Sequence, residues 1–247
     1  METKNAQSKL WFIIVIELLV IGAVCLASRL GGVFYYLFYH LGYGIGLSIL
    51  APLVYVFYYE RKSFSSLGIK PVTWRSVAVA ALFIAISIGG QLSGRRPVMP
   101  SALAMACATI PLIMTTFFEE FLFRGFFQTR LEARWGPIPA IIGSGLAFSL
   151  YHAGYPPFRE IHLLLTLLAV GIMFALSFKL ARNNLFTSFA VNLPNAVLTY
   201  LYTPASFPNF TPGIAIASLI TMTLTIVVLA GFGSHRARTV IMKILKT

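Results

Sequence analysis

The stretch Thr115-Thr116-Phe117-Phe118-Glu119-Glu120-Phe121-Leu122-Phe123-Arg124-Gly125 sets two carboxyl groups and one guanidinium among aromatic side chains. Read as a helix, it gives the two acids different partners. Glu120 and Arg124 are four apart in the favourable acid-first order, so they share a face and pair. Glu119 points about 100° away and has no such neighbour. An unpaired carboxylate in apolar surroundings is suited to take a proton from water, which makes Glu119 the candidate general base.

A second group comes from the next apolar run. If the helix carrying the acids continues through Gln128 to Trp135 and turns at Gly136-Pro137, the following helix runs back antiparallel. Glu120 and His152 each lie 16 positions from Gly136. At the helical rise, both sit about 24 Å from the turn, so His152 is expected at the depth of Glu119 and Glu120. Phe148, one turn before His152, would flank the same cavity. A third helix supplies amides, Asn192 and Asn195, on either side of Pro194. A proline there frees a backbone carbonyl, which in a membrane is tolerated where it lines a cavity. The asparagine NH₂ groups are candidate donors to a developing oxyanion.

Each of these residues also has a purely structural explanation. Glu119, Glu120 and Arg124 can form a buried ionic knot that fixes helix packing. A histidine on an apolar helix can serve packing alone, and asparagines hydrogen-bond across helices in membranes. Glu17, in the middle of the first apolar run, is a third buried acid to which the sequence gives no role.

The elements that must hold these groups follow from composition. Of the 247 residues 58% are hydrophobic and 11% charged, with a mean hydropathy of +0.82. Soluble domains carry about a quarter charged residues, so a water-soluble fold is excluded. The expected fold is an all-α polytopic bundle of about eight transmembrane helices. The spans are 10–28, 33–59, 74–92, 102–127, 137–154, 161–180, 185–202 and 212–232. Glycine and proline clusters mark the joints. The first run ends at Arg29 without a convincing cleavage site and is kept as a span.

The net charge of +12 reports topology rather than a nucleic-acid partner. Counted on alternate sides of this layout, 14 basic residues fall on one face and four on the other, Arg29, Arg95, Arg96 and Arg159, with Arg124 inside a span. Basic residues are retained on the cytoplasmic side, so both termini are expected there, in a cell membrane. The tail from His235 to Thr247 reads as a basic segment at the inner surface. Cys25 and Cys107 sit in apolar runs and behave as small hydrophobes.

These residues resemble the CAAX prenyl protease 2 and bacteriocin-processing family, the CPBP or Abi intramembrane proteases. Its Glu-Glu-x-x-x-Arg is similar to Glu119, Glu120 and Arg124, and its Phe-x-x-x-His to Phe148 and His152. Leu67-Gly68-Ile69 is also similar to the family, more weakly. In the third motif, His-x-x-x-Asn, Asn192 stands where a histidine is expected, and Asn195 or Ala196 falls at its end.

The resemblance implies that Glu119 and His152 activate a water for attack on a peptide bond, that Glu120 and Arg124 support them, and that the third motif stabilises the oxyanion. It also implies three segments of one membrane domain: an N-terminal three-helix segment over 1–100, a catalytic core over 101–203, and a last helix with its basic tail over 204–247. One histidine and a glutamate pair fall short of the three protein ligands usual at catalytic zinc, so no metal and no cofactor is expected.

The leading expectation is an intramembrane endopeptidase acting on a prenylated, leader or other membrane-associated peptide. A non-catalytic peptide-binding or bacteriocin self-immunity protein is the alternative. A proton-coupled transporter is a third, though the chain lacks the repeated broken-helix halves common among them. Substrate identity and oligomeric state are left open.

Overall fold

The computed structural model describes residues 2–93, 100–202 and 211–234. Arg95, Arg96 and the basic tail, which entered the charge count, lie outside the described residues. Every regular element among those described is helical.

The long helices are α1 (Glu2–Leu30), α2 (Gly32–Tyr59), α3 (Trp74–Leu92), α4 (Ala102–Trp135), α5 (Pro137–Tyr151), α6 (Ile161–Leu180), α7 (Leu185–Tyr202) and α8 (Pro212–Gly233). The apolar stretches Leu10–Leu30, Gly32–Tyr59, Trp74–Leu92, Ala102–Trp135, Ile161–Leu180 and Pro212–Gly233 are each long and apolar enough to cross a membrane. The chain is thus a multi-pass membrane protein. The spans read at 137–154 and 185–202 are helical but stand outside that set of six; α5 is only 15 residues long before the chain tightens at His152.

Local chemistry sets the boundaries. Thr73, Ser101 and Thr211 cap α3, α4 and α8, their side chains accepting from the amides of Ser76, Ala104 and Ile214, which satisfies donors that have no partner inside the helix. α4 runs unbroken past the acidic pair to Trp135 and stops at Gly136, whose φ of 80° suits glycine. Pro137 then starts α5, where its missing N–H costs nothing.

The arrangement inverts that of a soluble protein. Large apolar side chains face outward, such as Trp74 at 82% exposed and Ile138 at 71%, as expected where lipid is the solvent. Polar and aromatic residues gather inside. α4 is the central helix: from Phe118 to Gln128 every residue is buried, so this segment is enclosed on all sides.

Two close approaches fix its neighbours. α5 and α6 cross at Gly145 and Gly171, where a Cβ on Gly171 would sit 2.9 Å from the Gly145 carbonyl oxygen, the small-residue contact that lets membrane helices pack backbone to backbone. On the other side, a Cβ on Gly125 would lie 2.8 Å from the carbonyl oxygen of Leu67.

That carbonyl belongs to the turn Phe64–Leu67, which folds back from α2 onto α4. The turn is tied to the α6–α7 corner as well: the amide of Leu185 donates to the Gly68 carbonyl at 2.8 Å, and Asn184 Nδ2 to that of Pro71 at 3.0 Å. Arg130 closes the same end, pairing with Glu60 at 2.7 Å and donating to the Ser66 carbonyl at 3.1 Å.

Candidate active site

The enclosed part of α4 carries Glu119, Glu120 and Arg124, all buried. From Glu120 to Gln128 the helix widens to i→i+5 hydrogen bonding, a winding frequent at functional sites, although parts of α2 widen in the same way. Glu120 and Arg124 remain on one face, with Arg124 Nε 3.5 Å from Glu120 Oε2.

The guanidinium is held from three sides. Its Nη2 donates to the Gly171 carbonyl at 2.8 Å, which the bare backbone at Gly171 leaves within reach. Its Cζ lies 4.7 Å from the centre of the Phe148 ring and 5.4 Å from that of Phe174, positions in which a cation is attracted to the ring faces. One turn on, Gln128 Nε2 donates to the Ala175 carbonyl at 2.9 Å. Two side chains of α4, four apart, therefore grip two carbonyls of α6, also four apart.

Asn192 of α7 meets both acids. Its Nδ2 donates to Glu119 Oε2 at 2.9 Å and to Glu120 Oε1 at 2.8 Å. An amide nitrogen carries two hydrogens, and each is used on one carboxylate. Asn192, expected with Asn195 as an oxyanion donor, thus bridges the two acids and holds them side by side. The other oxygen of Glu119, Oε1, accepts from the hydroxyl of Tyr151 at the end of α5.

His152, expected opposite the acids, is the next residue, and its ring packs beside that of Tyr151, the phenol that reaches Glu119. Its Nδ1 is 2.7 Å from the Phe148 carbonyl oxygen. A carbonyl only accepts, so Nδ1 carries the hydrogen and Nε2 the lone pair. The ring packs 4.1 Å from that of Tyr151 and 4.9 Å from that of Phe148. Among the described residues it has no hydrogen bond to Glu119 or Glu120. Phe148, expected to flank the cavity, forms a floor under Arg124 and also anchors His152 through its backbone.

Asn195 is bonded to α3 through its side-chain oxygen. Its Oδ1 accepts from Ser87 Oγ at 2.8 Å and from Gln91 Nε2. Glu17 on α1 is half-buried, and both its carboxylate oxygens are buried without a hydrogen-bond partner among the described residues. No group of three or more His, Cys, Asp or Glu among the described residues is placed to hold a metal ion.

Beside the acids, Phe117 and Phe118 line an apolar crevice of about 390 Å³ between α4, α7, α8 and the segment carrying Phe64 and Ile69. Among its described lining residues Thr225 alone is polar, and its hydroxyl donates to the Thr221 carbonyl.

Sequence reasoning passed over Tyr151, Gly171 and Gln128. Gln128 had a signal, its i+4 spacing from Arg124. Tyr151 had none beyond adjacency to His152, in a chain with 11 tyrosines.

Two carboxylates and an arginine of one helix, enclosed in a helical membrane bundle and joined by an amide from a second helix, define a class: a multi-pass membrane protein with a buried cluster of ionisable groups. Residues 100–198 match the family of the type II CAAX prenyl endopeptidases, Rce1-like, within the CPBP and CAAX proteases that the Glu-Glu-x-x-x-Arg and Phe-x-x-x-His spacings resemble. The match supports a CAAX-type intramembrane protease. No curated protein matches the sequence.

Proposed function

We propose that the protein is an intramembrane endopeptidase in which Glu119 and His152 activate a water molecule to hydrolyse a peptide bond. The observation that carries this reading is the asymmetry of the two acids. Arg124 lies against Glu120, whereas Glu119 is held only by neutral donors, the Tyr151 hydroxyl and the Asn192 amide. Neutral donors orient a carboxylate without cancelling its charge, so Glu119 keeps the character of a base.

The chemical step needs no metal. Water placed between Glu119 and the lone pair on His152 Nε2 loses one proton to Glu119, its other hydrogen held by His152 Nε2, as its oxygen bonds to the scissile carbonyl carbon. The tetrahedral intermediate collapses when that proton passes to the amide nitrogen and the C–N bond breaks. Glu120, Arg124 and Asn192 fix the geometry of Glu119. Asn195, whose side-chain oxygen is held by Ser87 and Gln91, supplies its NH₂ as the oxyanion donor.

The substrate is a membrane-associated peptide, prenylated or carrying an apolar leader, with its apolar part in the crevice beside Phe117 and Phe118. The membrane is the cell membrane, with about eight spans and both termini on the cytoplasmic side. The core is 101–203, flanked by the N-terminal segment 1–100 and the last helix and tail 204–247.

A second reading, a non-catalytic peptide-binding or self-immunity protein, draws on the fact that both oxygens of Glu119 are occupied from within the protein. Purified protein in detergent, incubated with a library of lipidated and unlipidated peptides, separates the two. A protease cleaves, and Glu119→Gln and His152→Ala each abolish cleavage while the fold is kept. Cleavage that survives both changes refutes the proposed chemistry, and binding without cleavage by the wild type supports the second reading.

A further inference from the structure

We propose that Tyr151 is a positioning residue for Glu119, a role that rests on the reading of Glu119 as the base. The case begins with the phenol's lack of freedom. Tyr151 is buried, stacked on Phe123 at 5.1 Å between ring centres and on Tyr43 at 5.7 Å, with the edge of Phe148 at 5.8 Å. A ring held this way gives its hydroxyl one direction, and that direction is Glu119 Oε1.

Asn192 reaches Oε2 of the same carboxylate from α7. The two oxygens of Glu119 are therefore gripped by donors from two different helices. This fixes the plane of the carboxylate as well as its position, and it leaves the remaining lone pairs of each oxygen pointing in set directions. Reactions that depend on alignment lose rate steeply when a reacting group is free to rotate.

The phenol bears on proton return too. A hydroxyl donates more strongly to a carboxylate than to a neutral acid. It thus favours release of the proton from Glu119 to the departing amine in the second half of the reaction. Tyr151→Phe keeps the stacking and removes only this donor.

The test compares wild type with Tyr151→Phe on a peptide that the wild type cleaves, with Glu119→Gln as reference. Loss of one hydrogen bond to a charged group predicts a fall in kcat of about ten- to a hundredfold, with KM within about twofold and a melting temperature lowered by about a few degrees. In infrared spectra, the carboxyl bands that disappear in Glu119→Gln should shift in Tyr151→Phe.

A kcat within twofold of wild type, a change confined to KM, or an activity loss fully accounted for by unfolded protein at the assay temperature overturns the role. Unshifted carboxyl bands overturn it as well, whether or not the protein cleaves any peptide. If wild type cleaves nothing and the bands still shift, the protease reading falls while the hold of Tyr151 on Glu119 stands.

Discussion

Replacing Arg124 by methionine should destabilise the bundle far more than its single ion pair suggests. The guanidinium is fully buried, as is Glu120, so the change leaves a carboxylate with no cation beside it in an enclosed interior. Breaking a buried pair from one side costs about 3–5 kcal/mol. The bond from Nη2 to the Gly171 carbonyl also goes, for a further ~1 kcal/mol, and the ring faces of Phe148 and Phe174 lose their cation. The total of about 4–6 kcal/mol is a large part of the stability of a typical domain. Combining Arg124→Met with Glu120→Gln removes the uncompensated charge and should recover most of the loss. The assay is reversible unfolding in mixed micelles with rising sodium dodecyl sulfate, followed by tryptophan fluorescence. A single variant within 1 kcal/mol of wild type, or a double variant no better than the single, would refute the argument by showing that water solvates the cluster.

Two further outcomes follow from contacts on either side of it. Asn192→Leu removes both donors of the bridge between the acids, and should lower peptide cleavage by at least tenfold while leaving the helical circular dichroism unchanged; wild-type rates would show that the bridge is dispensable. Gly171→Val forces a Cβ against the Gly145 carbonyl at 2.9 Å and the Phe148 ring at 3.0 Å, and should cost about 1–3 kcal/mol in the same unfolding assay.

Much of this was legible before any coordinates. Apolar runs between glycine and proline clusters marked the helices, because in lipid the backbone must bond within each segment. Gly136-Pro137 marked the joint between α4 and α5, since a glycine free to take a positive φ and an N1 proline end one helix and start another, whereas the span read at 102–127 stopped short of Trp135, where α4 ends. The spacing of Glu120 and Arg124 implied their pairing.

What stayed hidden was contact between helices. Periodicity put His152 and the acids at one depth but could not orient side chains, and a histidine whose Nδ1 reaches its own helix at Phe148 leaves the facing position to Tyr151. Asn192 was recognisable as a donor, yet its acceptors depend on how α7 rotates against α4. The grip of Arg124 and Gln128 on α6 uses backbone carbonyls, which carry no mark in a sequence.

The crevice beside Phe117 has a consequence for how affinity must be measured. A ligand that fills it partitions from a lipid or micelle phase, so its occupancy is set by mole fraction in that phase and not by molarity in the buffer. At fixed bulk concentrations of protein and peptide, adding inert detergent dilutes both on the micelle surface. The apparent KM should then rise in proportion to total micellar detergent, and only values expressed per mole of amphiphile are comparable between preparations.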